Sequence, residues 1–291
     1  VMQASKMNSK KMVSSIYRKP IKTVFITIVS LSAIAIVYLM QTSQPKMTVE
    51  QAYWAGSNSD RMIFDHHAHT TYSDGQKSIE ELSELAYIKG CDAFSITDQS
   101  QNPNSCSQAK LAEIEAMRKK YPVMLIFAGI ELGMPSYEGR EHVNIITTPA
   151  NESKTLSGIM SALQRSSGMP KKERDLYVLD AMNIGGESTI AIYNHPSRKD
   201  VNAEKDENYS DITFWNQNFD HIVAMAGAPG HQNQATIGSY NKQILPIDRW
   251  YPVVATVGGT WDKLLAEDVK IWGAIASSDY HGDYMDYGPC E

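Results

Sequence analysis

The sequence predicts an α/β barrel preceded by an apolar helix, on three observations. Short apolar runs recur along the chain, each bounded by polar loops. Most of these runs end or begin on a histidine, aspartate or glutamate, and stretches of helical periodicity lie between several of them. Apolar runs of this length read as buried strands of a parallel sheet. Ligand-type residues at successive strand ends are what a β/α barrel offers at its C-terminal face. A chain of 291 residues with 42% hydrophobic content can fill one core of that size.

Taken in order, the first 22 residues carry Lys6, Lys10, Lys11, Arg18, Lys19 and Lys22 and no acidic residue. Thr23 to Met40 then runs without a charge. That length suits a membrane span, slightly short of the usual ~20 residues. The basic flank predicts a cytoplasmic N-terminus and an exported remainder. A cleaved signal peptide competes with this reading, but the run exceeds the usual apolar core of about 7–15 residues and no A-x-A-like site follows. Both readings place the domain outside the cytoplasm, in a periplasm or at the cell surface, with 23–40 as a membrane anchor or signal segment. Residues 41–61 form a polar linker, and 62–291 the globular domain.

The first strand runs through Phe64-Asp65 into His66-His67-Ala68-His69 and a loop carrying Asp74 and Gly75. His67 and His69, two apart, leave one face together, the beginning of a metal cage. His66 points away and is expected to pack against a helix. Ser78 and Glu81 stand at capping-box positions, Ile79, Leu82, Leu85 and Ala86 form an apolar stripe, and Gly90 ends this first helix. The strand Ser95–Thr97 ends in Asp98, a helix spans Asn104 to Tyr121, and Leu125–Ile130 ends in Glu131. His142 opens the strand to Ile146, and Leu156–Arg165 and Glu173–Asn183 read as helices. Ile190–Asn194 ends in His195, and Ala274–Ser278 ends in Asp279-Tyr280-His281.

The sixth strand, Ile222 to Met225, follows His221, which falls at the stability face. It precedes a glycine-rich loop with His231, whose backbone amides suit an anionic group. Arg140 and Arg198 are candidate phosphate clamps. Only ten residues follow His281, where a barrel ordinarily covers its last strand with a helix, so the sequence is expected to be truncated there. Cys91, between a helix and a strand, reads as a buried thiol. A Cys106–Cys290 bridge is compatible with an oxidising compartment, but spacing alone does not support it.

Of the 27 basic residues six lie in the N-terminal tail, so the remainder carries 21 against all 33 acidic ones, near −12. That balance leaves no basic face for long nucleic acid and suits a small phosphorylated substrate.

The motif series His67-x-His69 with Asp74-Gly75, Thr97-Asp98, Gly129-Ile130-Glu131, His142, His195-Pro196 and Asp279-x-His281 resembles the polymerase and histidinol phosphatase (PHP) family of metal-dependent phosphoesterases. The resemblance covers Met62 to His281. It implies a distorted seven-stranded β/α barrel, TIM-like in kind, binding two or three divalent ions of the zinc, manganese or iron type. His67, His69, Glu131 and Asp279 would hold one ion. Glu131 would bridge to a second, completed by His142 and His195. Asp74 and His281 would belong to a third, and Asp74, Glu131 and His281 would be the catalytic residues. Gln99 stands where the family usually has histidine, a weaker ligand for zinc-like ions.

Paired ions about 3.5–4 Å apart would activate a water for in-line attack on phosphorus, giving a phosphatase or phosphodiesterase. Three alternatives remain: an amidohydrolase-like enzyme, whose hallmark would be a bridging carboxylated lysine; a nuclease for short oligonucleotides; and a degenerate barrel serving as a binding domain. Substrate and oligomeric state are open.

Overall fold

In the computed structural model, the structure describes residues 62–134, 142–196, 206–229, 252–255, 257–267, 271, 273–282 and 288–290. Seven strands form one sheet in sequence order: β1 (Phe64–Asp65), β2 (Ala93–Ile96), β3 (Leu125–Leu132), β4 (His142–Thr147), β5 (Thr189–Asn194), β6 (Ile222–Pro229) and β7 (Gly273–Ser277). Beyond the ends of β7 and β1, a parallel bridge joins Ala68 to Tyr280, and the amide of His69 donates to the Tyr280 carbonyl at 2.8 Å. The sheet is thus a nearly closed barrel. The helices are α1 (Ile79–Ile88), α2 (Gln108–Lys120), α3 (Glu152–Arg165), α4 (Lys171–Asn183), α5 (Asp206–Asn218), α6 (Pro252–Ala255) and α7 (Thr260–Ala266).

The sheet is not wholly parallel. β4 runs antiparallel to both β3 and β5, while the remaining neighbours are parallel. Periodicity reports burial, not direction, so the apolar run of β4 carried no sign of this reversal. The consequence is local: His142 lies at the N-terminal end of β4, opposite Asn194 at the C-terminal end of β5. It therefore joins the same face of the barrel that the other strands reach with their C-terminal ends.

Alternation along the strands divides the core in two. Val143, Ile145, Ala191, Tyr193 and Met225 pack with buried helix residues such as Leu82, Ile114, Ile159 and Trp215. Their sequence neighbours Ile146, Ile192, Ala224 and Ala226 form a second cluster with Phe64, Phe127, Ile190 and Ile275. This second cluster contains no helix residue, which places it in the barrel lumen.

The helices form for identifiable reasons. Ser78 caps α1 by accepting from the Glu81 amide, and the Glu81 carboxylate accepts from the Ser78 amide, the reciprocal capping box. Gly90, at φ +83°, takes the left-handed position just past its end. α2 begins at Gln108, later than the sequence pattern suggests, because the Ser107 hydroxyl caps it.

Cys91 and Cys290 form a disulfide, and Cys106 is free and buried. This corrects the reading of Cys91 as a thiol and removes the Cys106–Cys290 alternative. Among the described residues no helix is long and apolar enough to cross a membrane; the segment 23–40 lies outside them.

Candidate metal centre

The end of β1, the loop to Asp74, the ends of β3 and β5, the start of β4 and the residues after β7 meet at one point. Glu131, near the end of β3, is the hub. Its Oε1 lies 2.9 Å from His142 Nδ1, 3.1 Å from His67 Nε2 and 3.2 Å from His195 Nε2. The Asn194 amide also donates to this oxygen at 3.1 Å. Four nitrogens around one oxygen exceed what two lone pairs accept. Ligand atoms drawn onto a common centre produce that crowding.

Asp279 forms the second focus. Its Oδ1 stands 3.1 Å from His67 Nε2 and 3.3 Å from His69 Nε2, and those two ring nitrogens are 3.0 Å apart. Three groups of ligand atoms emerge: His67, His69 and Glu131; Glu131, His142 and His195; and His69, Asp279 and His281. Glu131 is common to the first two and His69 to the first and third. Imidazole and carboxylate donors without thiolate suit zinc, manganese or iron, and the residues fit such ions.

The rim differs from the core of the site. His67, His69, Glu131, His195 and Asp279 are buried, and His142 and His281 are half-buried. Asp74 is exposed, with Oδ1 3.3 Å from His69 Nδ1 and Oδ2 3.4 Å from His281 Nε2. It stands outside the three groups and orients two histidines from outside. Gln99 pairs with Glu131 through a parallel bridge between strands. Arg140, Arg198 and His231 lie outside the described residues.

Electrostatics follow from charges packed in low dielectric. Burial alone would raise the Glu131 carboxyl, but His142, His67 and His195 outweigh it and hold it well below the usual range. Asp279 is likewise burdened by burial and held low by His67, His69 and His281. Burial opposes a proton on His69, yet Asp279, Asp74 and Glu131 hold its pKa up at about 10.

His195 and Asp279 adopt positive φ, +32° and +49°. Non-glycine residues occupy that region at a cost, and such outliers concentrate at functional sites. Gly75 is required by close approach: a Cβ there would stand 2.3 Å from the His69 carbonyl oxygen.

The supporting roles of several residues escaped sequence reading. Asp65 accepts from the amides of His67 at 3.1 Å and Ser278 at 3.2 Å, fixing both sides of the centre. Asp98 accepts from the Thr70 amide and from the hydroxyls of Thr70 and Ser73, bracing the loop to Asp74. Lys110, the only buried lysine among the described residues, pairs with Asp98 at 2.9 Å and stands outside the three ligand groups. Nothing in the spacing of α2 marks it. His66 does not pack on a helix as expected. Its ring lies near Phe64 and His67, and its backbone oxygen and Nδ1 face the Asn144 amide at 3.1 and 3.4 Å. Burial and the neighbouring His67 hold its pKa down at about 3. His221 sits at the start of β6, away from the cage, its ring against Phe219.

Residues 65–236, more than half of the chain, match the PHP domain family. No curated protein matches the chain. Among solved structures, a two-domain protein from Bacteroides vulgatus ATCC 8482 containing a predicted PHP-like metal-dependent phosphoesterase is 16% identical, with a TM-score of 0.47 over 82% of this chain. The chain spans only 57% of that structure's length. An amidohydrolase from Chromobacterium violaceum with bound sulfate is 15% identical, with a TM-score of 0.47 over 78% of this chain and 90% of its own.

Proposed function

The chain belongs to the PHP domain family, and from that premise we propose that it is a metal-dependent hydrolase of phosphate esters, with two or three divalent ions around Glu131. The observation that carries the reading is the sharing of Glu131 between two ligand groups, as a bridging carboxylate requires. His67 and His69 would hold one ion with Glu131 and Asp279, and His142 and His195 the next. His281 with His69 and Asp279 is the candidate third set, formed without Gln99. Bound there, divalent ions would lower the pKa of water and neutralise charge developing on a phosphoryl group.

The chain's own residues have distinct tasks in this scheme. Asn194 fixes Glu131 through its amide, Asp74 orients His69 and His281, and Asp65 and Asp98 anchor the two backbones that carry the ligands. The amidohydrolase reading loses ground because its hallmark bridge would be a carboxylated lysine. Glu131 holds that place here, and Lys110 is engaged with Asp98.

We place the domain outside the cytoplasm, carried there by the basic tail and the 23–40 segment. The Cys91–Cys290 disulfide supports an oxidising compartment. The test of function is elemental analysis of the purified chain together with turnover of a broad panel of phosphate esters. Two or three bound zinc, manganese or iron ions with turnover are expected. Metal-loaded protein that cleaves none of them would overturn the reading.

A further inference from the structure

The reversal of β4 has an effect on the same face of the barrel. Because β4 runs against its neighbours, the chain leaves it at the end of the barrel remote from the ligands. Helix α3 therefore climbs back toward the ligand end. Its last turns, from Met160 onward, arrive beside the loop that follows β2. Between them lies a cavity of about 630 Å³ whose walls include Ser100, Gln101, Met160, Ser161, Leu163 and Gln164. Small-molecule sites commonly measure about 300–1,000 Å³.

Two contacts tie the rim of this cavity to the metal centre. The Ser100 amide donates to the Glu131 carbonyl at 2.9 Å. Gln101 Nε2 and His142 Nε2 both flank Gly133, lying 3.1 and 4.0 Å from the point where a Cβ would stand. A glycine at this position leaves the space between the carboxamide and the imidazole open.

The chemistry of the walls selects an occupant. They present hydroxyls and carboxamides, which both donate and accept hydrogen bonds, beside the apolar chains of Met160 and Leu163, and no side chain among the described wall residues is charged. A charged group resting against these walls would find no counter-charge among them. A neutral carbon skeleton bearing several hydroxyls would exchange its water for the carboxamides and hydroxyls. We propose that this cavity seats the organic part of the substrate, an uncharged polyhydroxylated group of the sugar type, while the phosphoryl group lies at the metal centre. The inference rests on the phosphoester reading.

Three monoesters test it on the full, manganese-loaded chain: glucose 6-phosphate, 3-phosphoglycerate and ethyl phosphate. The sugar phosphate is expected to have a kcat/KM about tenfold or more above that of the anionic ester. Ser161→Trp, which fills the cavity, should lower the ratio of kcat/KM for glucose 6-phosphate over ethyl phosphate about tenfold, chiefly through KM. An unchanged ratio, or preference for 3-phosphoglycerate, overturns the proposal. Saturation-transfer NMR with glucose 6-phosphate reads the cavity without turnover. Signal in the wild type that Ser161→Trp abolishes supports the site even if no ester is cleaved, in which case only the phosphoester reading falls. Equal signal in both proteins, or none in either, sinks the site itself.

Discussion

At the scale of single residues, Glu131 is where the site is most vulnerable, because its two oxygens serve four imidazoles from three segments. Glu131→Gln keeps the shape and removes the charge. Loss of partners one layer outside a metal site already costs about 10–100-fold, so turnover should fall by at least about 100-fold and the bound-metal count should drop. Elemental analysis on the variant checks this, and a full metal complement would contradict the bridging role. His69 supplies the pH dependence. Its folded pKa, about 10, lies above the ordinary histidine value of 6.5 despite burial, because Asp279, Asp74 and Glu131 favour the proton. In the metal-free protein this stabilisation is complete below about pH 6.5 and is lost as pH rises through about 10. A divalent ion needs the same lone pair, so adding manganese at pH 8 should release a proton from this site, and affinity should climb with pH toward 10. Proton uptake or release in weakly buffered solution measures it; binding with no release would show that His69 is not a ligand. The residues brought together were legible because histidines and carboxylates at strand ends have few other uses. The bracing roles of Asp65, Asp98 and Asn194 were less so, even though Asp98 stood out at a strand end, since a carboxylate or amide that braces a backbone carries no mark of that task in the sequence.

At the scale of elements, α2 is held to the barrel by a charge as well as by Leu111 and Ile114. Lys110 is fully buried, its ammonium 2.9 Å from Asp98 and near the carbonyls of Ile96 and Gly129. Asp98 in turn holds the Thr70–Ser73 loop, so one ion pair links α2, β2, β3 and the loop carrying the site's rim. Lys110→Met leaves a buried carboxylate without its counter-ion, and removing one partner of such a pair costs about 3–5 kcal/mol. Chemical denaturation should show that loss. Adding Asp98→Asn to the same chain should recover part of it, since the orphaned charge then disappears. A single variant as stable as the wild type would mean that the pair contributes nothing. Here the sequence was informative in an uneven way. Ser78 and Glu81 announced the start of α1 because a capping box is local chemistry, complete within four residues. The reversal of β4 was invisible because the direction of a strand depends on partners far along the chain. That reversal nevertheless sets the approach of α3 and the position of His142 relative to Glu131.

At the scale of the whole molecule, the disulfide joins residues 199 positions apart. Sequence spacing could not find it, since three cysteines leave every pairing open and only the fold brings Cys91, just ahead of β2, beside Cys290. In the chain-entropy picture a closed loop of that length is worth about 5 kcal/mol, and natural disulfides commonly contribute about 2–5 kcal/mol when tested. The bridge also has a chemical consequence at the metal centre. The Cys290 amide donates to Asp65 Oδ2 at 3.0 Å, while Asp65 also accepts from His67 at one edge of the cage and from Ser278 beside Asp279 at the other. Burial alone pushes the Asp65 carboxyl up, and these donors work against that push, so each one lost leaves the ionised form less well satisfied. Reducing the protein with a dithiol, or replacing Cys290 by serine, should therefore have two effects. Unfolding free energy should fall by about 2–5 kcal/mol. Metal affinity should weaken by about tenfold, the lower end for a partner one layer out from a metal, because the backbones of His67 and Asp279 lose a shared anchor. Calorimetry and competitive chelator titration on the oxidised and reduced chains measure the two separately. Lower stability with unchanged affinity would make the disulfide a staple of the fold alone, whereas loss of both would tie the redox state of this bond to the integrity of the metal centre.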